Sequence, residues 1–94
     1  MLTHETIVKT VNKATKEFPL TKVAYFGSYA DGQATEKSDL DLLVEFEQDS
    51  VSLLTIIDLK HFMEYELGIT VDIIHALIPT EAIIKIENIV PVFG

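Results

Sequence analysis

Three aspartates are the residues of this sequence whose type and spacing best suit chemistry. Asp39 and Asp41 stand two positions apart at the start of an apolar run. Because alternate residues of a strand share a face, both carboxylates are predicted on the same face. Paired oxygen ligands suit two divalent ions such as Mg²⁺, as two-metal phosphoryl transfer requires. The same pair is also compatible with a solvent-exposed start of a strand.

The third carboxylate, Asp72, stands alone within the apolar segment 69–75. An unpaired carboxylate is costly to bury, so Asp72 either faces water or meets a cation. A third carboxylate on a neighbouring strand is also what metal-assisted group transfer needs, as a metal ligand and as a base for an attacking hydroxyl. Both interpretations remain open from the sequence.

A Gly-Ser pair, Gly27 and Ser28, follows an apolar strand and precedes a short helix. Free backbone N–H groups and the positive end of a helix dipole favour an anion at such a turn, and Ser28 adds a hydroxyl donor. Glycine and serine are equally typical of turns that bind nothing. The pair is therefore a candidate phosphate site, with simple turn formation as the alternative.

Two other kinds of Asp-x-Asp site do not fit. A calcium-binding EF-hand loop needs more oxygen ligands and a glycine at its sixth position, whereas Leu43 and Val44 follow here. A phosphatase that forms an aspartyl-phosphate places its Asp-x-Asp after the hydrophobic strand. Here the hydrophobic run comes after the aspartates, so the order is reversed.

The elements that must position these residues alternate between helix and strand. The apolar spacing predicts helices over 4–17 and 53–67, a short helix after Ser28, and strands over 22–26, 39–46 and 69–75. Ser50 or Ser52 is expected to cap the second long helix, Gly68 to end it, and a last helix to begin at Pro79 or Thr80. This order predicts an α/β (α+β) fold, a small sheet with helices packed on it, in one domain spanning 1–94.

Composition excludes several classes of function. Seven lysines, no arginine and 15 acidic residues give a net charge of −8, which argues against binding nucleic acid through its backbone charge. The sequence has no cysteine, so thiol chemistry and disulfides are excluded. It has no apolar stretch of membrane-spanning or signal-peptide length, so a cytoplasmic protein without a membrane partner is expected.

The spacing of Gly27-Ser28, then ten residues, then Asp39-Leu40-Asp41 resembles the signature of the DNA polymerase β-like nucleotidyltransferase superfamily. The longer string GSYADGQATEKSDLDLLVEF resembles the minimal nucleotidyltransferases of prokaryotes, which are usually encoded beside a HEPN-domain protein. The resemblance covers nearly the whole chain. It implies the polymerase β-like palm fold, a small mixed sheet with helices packed on it.

The resemblance also implies an activity and roles for individual residues. Asp39, Asp41 and Asp72 would bind two Mg²⁺ ions and activate the acceptor hydroxyl, and Gly27, Ser28 and Lys37 would hold the triphosphate. AMP would pass from ATP to a hydroxyl, most simply a tyrosine, of a partner HEPN ribonuclease toxin. The chain would then be the antitoxin of a type VII-like toxin–antitoxin pair. Two alternatives stay open, a non-catalytic antitoxin that acts by binding and an adenylyltransferase of small molecules such as antibiotics.

One residue departs from the family pattern. Asp31 stands where members of the family commonly carry arginine, and the chain has no arginine elsewhere. The negative charge of a triphosphate must then be met by metal ions, backbone amides and Lys37 or Lys22. Weaker nucleotide binding, a changed nucleotide preference, or toxin binding without catalysis are the expected consequences.

Other polar and apolar features are predicted to be structural. His4 and His61 are expected on helix surfaces, and His75 is expected on the face of its strand opposite to Asp72. The apolar end of the sequence, residues 89–93, is a candidate surface for docking a partner.

Overall fold

The architecture is that of a small mixed sheet covered by helices, as seen in a computed structural model that describes residues 1–48, 50–75 and 88–94. Within these residues the elements are α1 His4–Ala14, β1 Leu20–Phe26, α2 Ser28–Asp31, β2 Leu40–Phe46, α3 Leu53–Leu67, β3 Val71–His75 and β4 Val90–Phe93. The helix predicted to begin at Pro79 or Thr80 lies outside the described residues.

The described strands form one sheet in the order β3-β2-β1-β4. Strand β1 pairs antiparallel with both β2 and β4, whereas β2 and β3 run parallel. A parallel pair needs a crossover connection, and α3 provides it between β2 and β3. The predicted α/β class with a mixed sheet is confirmed, with β2 in the interior of the sheet and β3 at one edge.

The hydrophobic core lies between the sheet and helices α1 and α3. Alternate residues of β2 point into it, and Leu40, Leu42, Val44 and Phe46 are all buried there. This confirms the predicted apolar face of the strand. By the same alternation, the intervening residues, which include Asp41, lie on the face of the sheet turned away from the two helices.

The caps of the two long helices follow from side chains at their ends. The Thr3 hydroxyl accepts the Thr6 N–H at the start of α1, and the Ser52 hydroxyl accepts the Thr55 N–H at the start of α3. Gly68 ends α3 in the left-handed conformation, as predicted. Of the two candidate caps for α3, the structure therefore selects Ser52.

Three predicted boundaries were wrong by two or three residues. Helix α1 ends at Ala14 rather than at residue 17, because the chain turns there with short-range bonds before Pro19. Strand β1 begins two residues early, at Leu20, because Leu20 pairs with Phe46 at the end of β2. Strand β3 begins two residues late, at Val71. Tertiary pairing and local turns, neither visible in apolar spacing, set these ends.

The apolar tail forms part of the sheet. Residues Val90–Phe93 make edge strand β4, and Ala24 and Tyr25 of β1 pair with Pro91 and Val90. Proline is tolerated at a sheet edge because its missing N–H faces outward. Intrachain pairing thus accounts for the apolar character that suggested a partner surface.

Candidate active site

Two of the three predicted aspartates face each other across neighbouring strands. In the parallel pairing of β2 with β3, Asp41 is the direct partner of Asp72. Neighbouring strands lie about 4.8 Å apart, so the two carboxylates emerge side by side on the face away from α1 and α3. Asp72 is exposed and Asp41 is partly buried. The structure thus brings together two carboxylates that are 31 positions apart in sequence.

The third aspartate, Asp39, lies just before β2 rather than inside it. The strand begins at Leu40, so the prediction that it runs over 39–46 was wrong by one residue. Asp39 is nevertheless close enough to Asp41 for its charge to act on it. Burial, then the charge of Asp72, then the charge of Asp39 raise the pKa of Asp41. The three carboxylates therefore share one electrostatic environment.

Gly27 ends β1 directly beside this group of carboxylates. Its φ of 73° and ψ of −149° lie in a region that is essentially restricted to glycine. A Cβ built on Gly27 would overlap Oδ2 of Asp41, which is the register partner of the preceding residue, Phe26. The sequence suggested that this glycine admits a phosphate to the backbone. The structure adds a second reason, since Gly27 also makes room for the Asp41 carboxylate.

The turn at Gly27-Ser28 opens a helix of a single turn, Ser28–Asp31. Its bonds are local, with the N–H groups of Ala30 and Asp31 donating to the Gly27 carbonyl. A helix this short has little macrodipole, because the dipole arises from aligned peptide units along the axis. The anion-binding capacity predicted here therefore depends on the Ser28 hydroxyl and on the N–H groups that precede Ala30, which have no acceptor within the helix.

Lys37 is placed in an exposed turn rather than at the carboxylates. Its backbone N–H donates to the Thr35 hydroxyl, and Ser38 Oγ accepts the Thr35 N–H, so the loop before β2 is held by its own side chains. In the described part of the chain, no hydrogen bond or ion pair joins the Lys37 ammonium to an aspartate of the group. Lys37 can therefore act at the site only through a bound ligand that reaches both this turn and the carboxylates.

Asp31, the residue that departs from the family pattern, has a structural contact. Its Oδ1 accepts a hydrogen bond of 2.7 Å from Asn88 Nδ2, 57 positions away. Asn88 has a positive φ of 58°, a conformation that asparagine adopts more readily than most residues. Asp31 therefore ties the end of α2 to the residues that lead into β4.

The carboxylate oxygens of the three aspartates are ligands that suit Mg²⁺, although the side chains do not form a preformed metal site. Across residues 1–48, 50–75 and 88–94, no three Asp, Glu or His side chains are grouped closely enough to hold an ion as they stand. Asp39, Asp41 and Asp72 nevertheless offer only oxygen donors, which hard divalent cations prefer. Burial raises the pKa of Asp41 and repulsion from Asp72 and Asp39 raises it further, and a bound cation would relieve that repulsion.

Two of the three histidines, His4 and His75, make structural contacts. His4 Nδ1 lies 2.8 Å from the Tyr25 hydroxyl and so ties the start of α1 to β1. The rings of His75 and Phe46 meet edge to face at a centroid distance of 5.2 Å. His75 thus lies on the helix-covered face, opposite to Asp72, as its position in the strand predicted.

Comparison with known proteins decides the family. A profile described as "Nucleotidyltransferase domain" matches residues 7–91. This chain belongs to the nucleotidyltransferase domain family. It is 41% identical over 78 residues to the protein adenylyltransferase MntA of Thermococcus cleftensis, an alignment that covers 79% of this chain and 78% of that protein. The resemblance drawn from the Gly-Ser and Asp-x-Asp motifs is confirmed, and the chain is a nucleotidyltransferase by family.

Solved structures of the same fold include toxin–antitoxin complexes. A toxin–antitoxin crystal structure with AMP-PNP matches with a TM-score of 0.75 at 18% identity, covering 93% of this chain and 73% of the other. A complex of the tri-AMPylated HEPN toxin of Shewanella oneidensis with its MNT antitoxin matches with a TM-score of 0.60 at 17% identity, covering 92% and 71%. At these identities the likeness shows the shared fold.

None of the helices in the described residues combines the length and the apolar character needed to cross a bilayer.

Proposed function

We propose that this nucleotidyltransferase transfers AMP from ATP to a hydroxyl of a partner HEPN-domain toxin and thereby acts as its antitoxin. The observation that carries the proposal is the direct pairing of Asp41 with Asp72 beside Gly27. The 41% identity to a protein adenylyltransferase supports a protein acceptor. The fold shared with the antitoxin of an AMPylated HEPN toxin supports the kind of partner.

Asp39, Asp41 and Asp72 are the residues that would hold Mg²⁺. When bound, the ions supply charge neutralisation for the triphosphate and for the pyrophosphate that leaves. Because the chain has no arginine, its other means of meeting phosphate charge are backbone N–H groups, the Ser28 hydroxyl and lysine. Lys37, in the exposed turn before β2, is the lysine assigned to that role.

The chain's own residues account for the rest of the reaction. Gly27 and Ser28 hold the triphosphate at the end of β1, where the glycine leaves the backbone open to a phosphate. Asp72, exposed at the sheet edge, accepts the proton of the incoming hydroxyl. The hydroxyl oxygen then bonds to the α-phosphorus, the bond from that phosphorus to the bridging oxygen breaks, and pyrophosphate leaves. The rate enhancement comes from positioning of the reacting groups and from stabilisation of the charge on the phosphates, as is usual in phosphoryl transfer.

The position of Asp72 supports a macromolecular acceptor. It is the exposed member of the Asp41–Asp72 pair, and among the described strands β3 lies at the edge, so an acceptor can reach Asp72 from outside the sheet. A hydroxyl of a folded partner can be presented there. Adding AMP, with its phosphate charge and its bulk, to the partner's RNA-binding site would block that site. Since the reaction consumes ATP, the cytoplasm is the proposed compartment.

The test is intact-mass measurement of a HEPN-domain protein from the same genome after incubation with this chain, ATP and Mg²⁺. We expect a gain equal to one or more AMP groups, abolished by Asp41→Asn and by Asp72→Asn. Ser38→Ala, which alters the neighbouring loop without removing a carboxylate, is the control. Tight binding without a mass gain would replace the enzyme by an antitoxin that acts through occlusion. A mass gain that survives both aspartate changes would contradict the assigned site.

A further inference from the structure

Two charged side chains of α3, Lys60 and Glu64, bond to the first residue of β3. Glu64 Oε2 accepts two hydrogen bonds of 3.0 Å, one from the Lys60 ammonium and one from the backbone N–H of Val71. The same Lys60 ammonium donates to the backbone carbonyl of Val71. One helical pair therefore binds both polar backbone groups of a single strand residue.

That residue begins the edge strand that carries Asp72. The Thr70 carbonyl accepts the Leu40 N–H, so the chain faces β2 at Thr70. Backbone polar groups alternate sides along a strand, so those of Val71 point away from β2, towards the side of β3 that no described strand covers. An edge without partners exposes such groups to water or to another chain. Here α3 supplies the partners that a further strand would otherwise provide.

We infer that Lys60 and Glu64 are positioning residues for Asp72, because they fix the first residue of β3 in its register against β2. The inference rests on the proposed function of Asp72. A slip of one residue in a strand turns every side chain to the opposite face. Such a slip would move Asp72 from the carboxylate face to the helix-covered face and bring a buried valine, Val71, out of the core.

The chemistry of the pair agrees with this role. The pKa of Glu64 lies below its ordinary value, chiefly because its carboxylate accepts the Val71 N–H and secondly because it accepts from Lys60. The charged form of Glu64 is thus the form that binds the strand. A surface ion pair alone contributes little, but this one also satisfies backbone groups of the neighbouring strand.

The chain offers a matched control on the same helix. Glu66, two residues after Glu64, pairs with Lys13 of α1 at 2.9 Å. That ion pair joins two helices and bonds no residue of β3. Glu66→Ala therefore removes a glutamate and an ion pair of similar length while it leaves the contacts to Val71 intact.

The experiment compares Glu64→Ala, Glu64→Gln and Glu66→Ala in the full chain, after thermal unfolding has shown that each variant is folded. Backbone hydrogen exchange is measured at residues 71–73, Mn²⁺ affinity by titration, and AMP transfer as kcat and KM for ATP. For Glu64→Ala we expect exchange at the Val71 amide to rise at least about tenfold and kcat to fall about tenfold to a hundredfold, as misplacement of a reacting group does. Mn²⁺ affinity should fall, because one of the three carboxylates is displaced. KM for ATP at saturating Mg²⁺ should stay within about twofold, because the triphosphate turn lies on β1.

Glu64→Gln retains an oxygen that can accept the Val71 N–H, so it should recover most of the exchange protection and of kcat. Glu66→Ala should resemble the wild type in all three measurements. Equal effects of Glu64→Ala and Glu66→Ala, or unchanged exchange at residues 71–73 in Glu64→Ala, would overturn the inference. If the wild type transfers no AMP, the proposed function fails, while exchange and Mn²⁺ affinity still decide whether the pair positions Asp72.

Discussion

Replacing Gly27 with alanine probes the close packing between the end of β1 and the carboxylate group. The backbone of Gly27 has φ 73° and ψ −149°, and holding a residue with a side chain there costs about 1–3 kcal/mol. For a domain of this size each kcal/mol lowers the Tm by roughly 4–8 °C. The new Cβ would also overlap Oδ2 of Asp41, so the carboxylate has to leave its place beside the turn.

Gly32→Ala is the matched control for the cost to the backbone. Gly32 also has a positive φ, 74°, but with ψ 17° it lies in the ordinary left-handed helical region. A Cβ added there meets nothing within 4 Å. The substitution should cost about 1–2 kcal/mol, similar in size to the backbone cost at Gly27, and leave Asp41 undisturbed.

Thermal unfolding and AMP transfer to the HEPN partner, measured on both variants, separate the two effects. Both variants should unfold at a lower temperature than the wild type. Only Gly27→Ala should lose transfer, by about a hundredfold, because a shift of about 1 Å in a reacting group costs that much. Transfer by Gly27→Ala equal to that of Gly32→Ala would refute the reasoning that Gly27 makes room for Asp41.

Three further changes have defined outcomes. Asp41→Asn should abolish transfer yet raise the Tm at pH 7, because burial and the charges of Asp72 and Asp39 disfavour the ionised form. Since the pKa of Asp41 is raised in the fold, the stability of the wild type should fall as the pH rises from about 3.8 through that raised pKa. This pH-dependent contribution should vanish in Asp41→Asn. A Tm of Asp41→Asn below that of the wild type at pH 7 would contradict the account. Leu59 is 1% exposed, so Leu59→Ala should lower the free energy of unfolding in denaturant by about 2–5 kcal/mol. Leu54 is 71% exposed, so Leu54→Ala should change it by less than about 0.5 kcal/mol. Equal losses in the two variants would place the core elsewhere. Asp31→Arg should lower KM for ATP relative to Asp31→Ala by adding a positive charge near the triphosphate turn, and equal KM values would show that residue 31 does not face the nucleotide.

Much of the fold was predictable because it depends on local patterns. The alternation of apolar residues along β2 gave its buried face, and Ser52 and Gly68 marked the ends of α3. Each of these features depends on residues a few positions apart, which sequence spacing reports directly. The class of the fold followed from the order of these elements.

Features that depend on pairing between distant segments were not predictable. Apolar spacing does not give the direction of β3, which runs parallel to β2 and so sets Asp72 opposite Asp41. It placed Asp39 inside a strand that begins one residue later. The bond between Asp31 and Asn88 joins residues 57 positions apart, and nothing in the local sequence indicates it.

The site shows the same division between local and distant information. The Gly27-Ser28 and Asp-x-Asp motifs identified the candidate residues, because their spacing is local and the family pattern is specific. That Gly27 leaves space for Asp41 became visible only in the register of β1 with β2. Lys60 and Glu64 could be recognised in the sequence as a helical ion pair, but their bonds to Val71 depend on where α3 lies against β3.

The most direct test of the carboxylate site is an anomalous diffraction measurement on crystals grown with Mn²⁺ and an ATP analogue that cannot release pyrophosphate. The account predicts Mn²⁺ peaks bound by Asp39, Asp41 and Asp72, with the triphosphate against Gly27 and Ser28. A nucleotide bound elsewhere on the chain, or Mn²⁺ peaks that these aspartates do not touch, would contradict it.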